Sequence, residues 1–466
     1  MKIHSLTTSA LLLPLTLFQA TGDEQKNTQE NEQKKPSYID FRWVPVKIES
    51  EKPDSEVRNQ FDFTLPLHGQ YLTNPSSDSV TITWITRVPC GAGIEYREKG
   101  SEEFKRVWKK FYGQIDCSSD LHSIHLENLK PGTEYEYRFV TVPNPFMAYD
   151  TTTRTGKEIY SFRTLDPGKT TYKVFFVADH HGAARLALDP LVEYSGAEDA
   201  DFYVFLGDNV EDNMNHARYF MTQGFLDDVS RKWGKSKPTV FLRGNHDISG
   251  REQYDFGKYF PRKDGKSYFA FSQGKVLFIV LDSMWSKASP NMPEQTAAYQ
   301  DYFREQAQWL RDLKKTQAWK DAEFRIVMAH VATHGGSGGT QYMAEFFKDV
   351  LNDPSPEGRI HYFLAGHEHS CIRIDPRSAD TKVSRPRGVQ PFQGDFNYGL
   401  LIVNMWDALI LNVEPGKLTF TSYDCRKNGE IRDSFIVTPD GAVKDNIEGV
   451  KVFPPPAPKA PPARKK

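Results

Sequence analysis

From residue 61 to about 165 the chain alternates apolar and polar positions. Val80, Ile82 and Trp84 interleave with Thr81 and Thr83, Ile94 and Tyr96 alternate, as do Ile124 and Leu126, and Tyr135, Tyr137 and Phe139 follow. A period of two, broken by turn residues, predicts half-buried antiparallel strands, and several in series predict a β-sandwich. At residue 172 the pattern changes. YKVFFVADHHG, DFYVFLGDNVED, KPTVFLRGNHD, FRIVMAHVATH and IHYFLAGHEH each run apolar and then turn polar. Between them, residues 215–233 and 294–318 carry apolar stripes at helical spacing, the second including Trp309, Leu310 and Leu313. Buried strands alternating with amphipathic helices predict an α/β domain with covered sheets.

The ends of the chain read differently. Lys2, an apolar core over 10–18 and the small residues Ala20-Thr21-Gly22 form a secretory signal pattern, so residues 1–22 predict a signal peptide and a secreted or periplasmic protein. That apolar run is short for a bilayer span, and no other segment reads as an integral membrane segment. Residues 23–60 are a polar leader in which FRWVPVKI can add an edge strand. The tail FPPPAPKAPPARKK, 453–466, has too many prolines for a ladder or a helix and predicts a disordered end.

Composition changes the picture in two ways. The 466 residues carry a formal charge of −2, which gives no field for nucleic acid; an anionic substrate needs a local positive site. The four cysteines, Cys90, Cys117, Cys371 and Cys425, show no metal-thiolate spacing. In an exported chain Cys90 with Cys117 is the bridge expected, against the alternative of four packed thiols, and a Cys371–Cys425 pair is left open. Oligomeric state has no signal in the sequence.

The polar bursts carry the chemistry. In open α/β sheets, ligands bind beyond the carboxyl ends of strands, and all five bursts lie there. In extended chain, side chains two apart share a face, so Asp179 and His181 converge while His180 diverges, and His367 and His369 converge while Glu368 diverges. Asp208 follows a turn-forming Gly207 and has two oxygens with which to bridge two ions. Asn245 offers a carbonyl oxygen and His330 another imidazole. These nitrogen and oxygen donors suit iron, zinc or manganese, as two divalent or mixed-valence ions. With Asp179 and Asp208 alone negative, two divalent ions leave a net charge of about +2, which attracts a phosphate dianion and makes hydroxide available near neutrality. His246, beside Asn245, is a candidate either to protonate the departing alkoxide or to hold the transition-state oxygens.

Two resemblances extend this reading. Leu129, Pro131-Gly132-Thr133 and Tyr135 in LENLKPGTEYEYRF resemble the tyrosine corner of fibronectin type III domains, where the hydroxyl bonds back to the chain. Asp-x-His (179–181), Gly-Asp (207–208), Gly-Asn-His-Asp (244–247), His330 and Gly-His-x-His (366–369) resemble, in order, the calcineurin-like metallophosphoesterase superfamily. The chain order resembles purple acid phosphatases more narrowly. The resemblance implies two packed β-sheets flanked by helices over 172–440, behind an N-terminal all-β fibronectin type III-like domain over 61–166. It implies Asp179, His181, Asp208 and His369 on one metal, and Asp208, Asn245, His330 and His367 on the other. It implies a phosphoester hydrolase, with a phosphomonoesterase as the first expectation and a small phosphorylated molecule as substrate. A phosphodiesterase or nucleotidase, or a catalytically dead surface-binding protein, is the alternative.

The chain departs from the purple acid phosphatases at two positions. They carry a tyrosine where this chain has Glu211, and a non-ligand where it has His181. In the serine/threonine phosphatases of the superfamily an acid at the first position orients the histidine of the Gly-Asn-His motif, which implies a Glu211–His246 pair, against the alternatives of a third carboxylate ligand or a solvated acid at the start of the following helix. His180 and His334, in the HGGSGG stretch, are left between substrate contact and a structural role. The insertion at 284–300 is expected as a rim or lid.

Overall fold

The structure, a computed structural model, describes residues 64–144, 152–182, 188–210, 213–215, 217–218, 222–283, 299–335, 340–374 and 396–446. The expected signal peptide, leader and proline-rich tail lie outside the described residues, as do Glu211 and most of the 284–300 insertion.

The N-terminal strands are β1 (Pro66–Thr73), β2 (Val80–Thr86), β3 (Cys90–Glu98), β4 (Lys105–Trp108), a small hairpin of β5 (Lys110–Phe111) and β6 (Gln114–Ile115), β7 (Leu121–Leu126), β8 (Glu134–Pro143), β9 (Arg154–Thr155) and β10 (Tyr160–Arg163). They form two sheets around a core of Ile82, Trp84, Ile94, Ile124, Tyr137 and Phe139. The tyrosine corner is present: the Lys130 amide donates to the Tyr135 hydroxyl at 2.8 Å. Cys90 and Cys117 are not bonded. Cys90 points inward, 3.7 Å from Thr86 Oγ1, whereas Cys117 Sγ lies where a side chain on Gly91 would sit, so the two thiols belong to opposite faces of β3. Cys371 and Cys425 are free thiols as well.

The C-terminal half contributes β11 (Tyr172–Val177), β12 (Phe202–Phe205), β13 (Pro238–Phe241), β14 (Phe269–Gln273), β15 (Val276–Val280), β16 (Phe324–Met328), β17 (Tyr362–Ala365), β18 (Ile372–Ile374), β19 (Gly399–Ile402), β20 (Asp407–Glu414), β21 (Lys417–Asp424), β22 (Glu430–Val437) and β23 (Val443–Asp445). One sheet has the order β14-β15-β16-β17-β19-β18. The other has ten strands in the order β23-β22-β21-β20-β11-β12-β13-β1-β2-β7. Three N-terminal strands therefore belong to the large sheet, with β1 parallel to β13 in the register Thr73↔Thr239. β7 and β8 alternate buried and part-exposed residues as expected of half-buried strands, and the expectation is corrected at β2. β2 is buried along its whole length, and its flank is held to the second half by Asn74 Nδ2, which donates to the Pro261 carbonyl (2.7 Å) and to Thr81 Oγ1 (2.9 Å). Tyr71 and Tyr137 hydroxyls donate to the Tyr259 and Lys235 carbonyls across the same junction.

The two sheets face each other over Val174, Phe176, Val204, Phe278, Ile326 and Leu364. Helices cover the outer faces. Tyr299–Leu313 and Thr340–Leu351 pack on the smaller sheet through Phe303, Leu310, Met343 and Phe347. The expected helix over 215–233 is irregular, with π-turns at Thr222–Leu226 and Ser230–Gly234 around Asp227–Val229, and it packs Phe225 and Trp233 on the large sheet. β11, β12, β13 and β1 run parallel, as do β15, β16, β17 and β19. The carboxyl ends of β11, β12, β13, β16 and β17 carry the polar bursts.

Candidate metal centre

Each burst begins where its ladder runs out, and the pairing continues briefly past the strands. The Leu206 amide donates to the Val177 carbonyl (2.8 Å), Asp179 to Gly207 (3.1 Å) and His181 to Asp208 (3.0 Å). Asp179, His181, Asp208, His367 and His369 all take left-handed φ, between 49° and 74°. For non-glycine residues this costs about 1 kcal/mol or more each and persists where the surroundings enforce it. The side chains at 179/181 and at 367/369 converge as expected, but through these left-handed turns and not through extended chain.

Asp179, His181, Asp208 and His369 bring one ligand atom each to within 4.8 Å of one another, and Asp208, His330 and His367 do the same. Asp208 belongs to both groups. Asn245 Oδ1 lies 3.3 Å from His330 Nε2, which is 3.2 Å from Asp208 Oδ2. His369 Nε2 is 3.3 Å from Asp179 Oδ1 and 3.4 Å from His181 Nε2. All seven expected ligands are thus gathered at one place.

Imidazole tautomers decide whether these atoms fit a cation. His330 Nδ1 donates to the Leu206 carbonyl at 2.9 Å, and His181 Nδ1 to the Val210 carbonyl at 3.3 Å. Each neutral ring then presents the lone pair of Nε2 to carboxylate, amide-carbonyl or imidazole acceptors. Acceptors facing acceptors in a buried space repel unless a proton or metal ion lies between them. Without an ion the proton answer appears: burial pulls the His330 pKa down, Asp208 and Asp179 outweigh it, and the value rises to about 9. Burial raises Asp208, but His330 prevails and holds it well below the ordinary carboxylate range. The donor set fits hard or borderline divalent ions.

Glycines set how closely the parts approach. A Cβ on Gly244 would lie 2.1 Å from Asp208 Oδ1, one on Gly366 2.8 Å from Asp179 Oδ2, and one on Gly207 2.6 Å from His330 Nδ1. Asp247 has a part that sequence reasoning did not assign. Its carboxylate accepts from the amides of Gly244 (2.8 Å), Asn209 (3.1 Å) and Val210 (3.3 Å), and from Asn209 Nδ2 (2.9 Å). It pins the loop bearing Asp208 to the loop bearing Asn245. Burial, followed by the nearby Asp208 charge, pushes its pKa up to about 7. The available signal was its place as the last residue of Gly-Asn-His-Asp.

His246 stands at the more open rim, with its amide donating to Asp208 Oδ1 (2.9 Å) and its ring edge-on to His181, centroids 4.9 Å apart. Its expected partner Glu211 lies outside the described residues. His180 points away from the cluster and packs among the rings of Phe205 and Phe225, which places it in the core and not at a substrate phosphate. His334 is also buried, stacked 4.2 Å from Phe396, and burial lowers its pKa to about 3. It is a neutral packing residue; residues 336–339 of its loop lie outside the described residues.

Comparison with known proteins finds similarity to phosphoesterases in both halves of the chain. Residues 172–371 match the calcineurin-like phosphoesterase family and residues 68–164 the purple acid phosphatase N-terminal domain. Among curated proteins it is similar to the serine/threonine-protein phosphatase CPPED1 of Homo sapiens, 30% identical over 180 residues, covering 38% of this chain and 54% of that protein. CPPED1 of Bos taurus is 25% identical over 182 residues, covering 38% and 55%. The chain thus spans about half the length of the curated relatives it matches. In structure it is similar to the purple acid phosphatase PPD1 of yellow lupin (Lupinus luteus), with TM-score 0.54, 16% identity, and 79% and 74% of the two chains covered. It is also similar to PhoD, with TM-score 0.53, 12% identity, and 83% and 92% covered. These two likenesses concern the fold. No helix among the described residues is long and apolar enough to cross a membrane.

Proposed function

We propose that the chain is an exported phosphomonoesterase working with two metal ions, iron, zinc or manganese, on small phosphorylated molecules. The observation that carries the two-ion reading is the sharing of Asp208 by two ligand groups, one containing Asp179, His181 and His369, the other His330 and His367. Asn245, 3.3 Å from His330 Nε2, joins the second group. When bound, the ions supply positive charge to the phosphate oxygens and acidify water.

The remaining steps belong to this chain's own residues. Asp247 and the left-handed turns hold the donors before substrate arrives, so little reorganisation is needed in the transition state. His246 is the group at the rim that can hand a proton to the leaving alkoxide. Glu211, three residues after Asp208 in the sequence, is assigned to orienting that ring on the resemblance alone. Buried packing of His180 and His334 leaves both out of the chemistry. Export rests on the signal pattern of residues 1–22 and on no structural observation.

The test is metal analysis of the purified protein combined with a panel of phosphate mono- and diesters. The reading expects about two ions per chain and faster hydrolysis of monoesters. One ion per chain, or faster hydrolysis of diesters, would overturn the corresponding half of it.

A further inference from the structure

The carboxyl edge of the large sheet has a second opening. β1 stops at Thr73, level with Thr239, while β13 continues to Phe241 and leads into Arg243. Asn74 then takes a left-handed φ of 52° and turns the chain away. The last part of β13 keeps its pairing with β12 but has no neighbour on the β1 side, where a cavity of about 410 Å³ lies. Volumes of this order hold small organic molecules.

Its lining is of two kinds. Phe241, Phe256 and Phe260 form an aromatic wall, with Phe241 stacked on Phe260 at 4.2 Å and Phe256 4.7 Å from Phe260. Arg243, Arg262 and Lys266 supply cations, and no carboxylate is among the described lining residues. Arg243 Nε donates to the buried Asp282 (2.8 Å), which neutralises it. The partners of the other two are about half exposed: Asp264 lies 3.3 Å from Arg262 Nε and Glu305 3.1 Å from Lys266 Nζ. Such solvent-facing pairs are weak and leave the cations able to meet an incoming anion. Arg262 also lies 3.8 Å over the ring of Phe269, another lining residue, which holds its guanidinium in place. The hydroxyl of Thr73, 3% exposed, has no hydrogen-bond partner among the described residues.

We propose that this cavity is a binding site for a ring-bearing organic anion, separate from the metal-ligand cluster. The ring packs on the phenylalanine wall and the anionic group meets Lys266 and Arg262. β1 lies two strands from β12, about 10 Å at the usual strand spacing, and Arg243 directly precedes Gly244 of the metal-site loop. The ligand is thus either the organic half of a substrate or a free effector beside it.

Isothermal titration of the full-length protein with naphthalene-1-sulfonate, which has no phosphoester, tests this. One molecule should bind per chain. Lys266→Glu and Arg262→Gln should each weaken binding at least tenfold with the melting temperature little changed, and Asp208→Asn should bind like wild type. Unchanged affinity in both cavity variants, or loss of binding in Asp208→Asn, would overturn the proposal. Inhibition of ester hydrolysis separates the two sources: competitive inhibition assigns the cavity to the substrate, and a change in kcat at constant KM assigns it to an effector.

Discussion

Gly244→Ala adds one methyl group and removes no ligand. The added Cβ would sit 2.1 Å from Asp208 Oδ1 and 2.2 Å from the Asp208 amide nitrogen, where real contacts stay beyond 3.0 Å. The two loops must therefore separate by about 0.9 Å, the difference between 3.0 and 2.1 Å. Because backbone is among the clashing atoms, rotation of the Asp208 side chain cannot relieve the overlap. Separation also pulls on the Asn209 and Val210 amides held at 3.1 and 3.3 Å by Asp247. Overpacking of this kind costs about 1–3 kcal/mol of stability. A misplacement near 1 Å in a catalytic constellation costs about 10²-fold in rate. Hydrolysis of p-nitrophenyl phosphate by the variant should fall about a hundredfold in kcat/KM, with reduced metal retention and near-native circular dichroism. Activity within threefold of wild type, with metal content unchanged, would refute the account of how the centre is packed.

Asp247→Asn should lower activity about 10- to 100-fold, because one amide oxygen cannot accept from the Gly244, Asn209 and Val210 amides together and its NH₂ would face a donor; steady-state kinetics and metal analysis check this. His122 is buried and its pKa is lowered to about 4 from 6.5, burial being the main cause. Between those values the unfolded chain takes up a proton that the folded chain does not, so stability is flat above pH 6.5 and falls as pH drops toward 4, by up to about 3 kcal/mol. Urea midpoints of wild type and His122→Phe across that range should differ in slope. With Glu211 in place of a tyrosine, the metal-loaded protein should lack a strong visible charge-transfer band, and a purple preparation would mean that another phenolate reaches the metal.

The positions of the site residues were legible because each follows an apolar run that can only be a buried strand, and strand ends in α/β sheets converge. The backbone that makes Asp179, His181, His367 and His369 converge was not, since a left-handed φ at an Asp or His leaves no compositional mark. Asp247 was visible as a motif letter, but its role depends on amides of Asn209 and Val210 that only the folded loops bring near. The tyrosine corner was readable from local spacing. The joining of β1 to β13 was not, because a parallel pairing between residues 72–73 and 238–239 has no local signature. The bridge expected between Cys90 and Cys117 failed on strand geometry, since neighbouring residues of β3 face opposite ways.

The central claim is that Asp208 is the shared oxygen ligand of a two-ion centre that hydrolyses phosphate esters. Metal stoichiometry and p-nitrophenyl phosphate hydrolysis, measured on the same preparations of wild type and Asp208→Asn, test it directly. The account predicts about two ions per wild-type chain, and in the variant loss of bound metal together with a fall in hydrolysis of at least a thousandfold. A variant that keeps both its metal and its activity would contradict it.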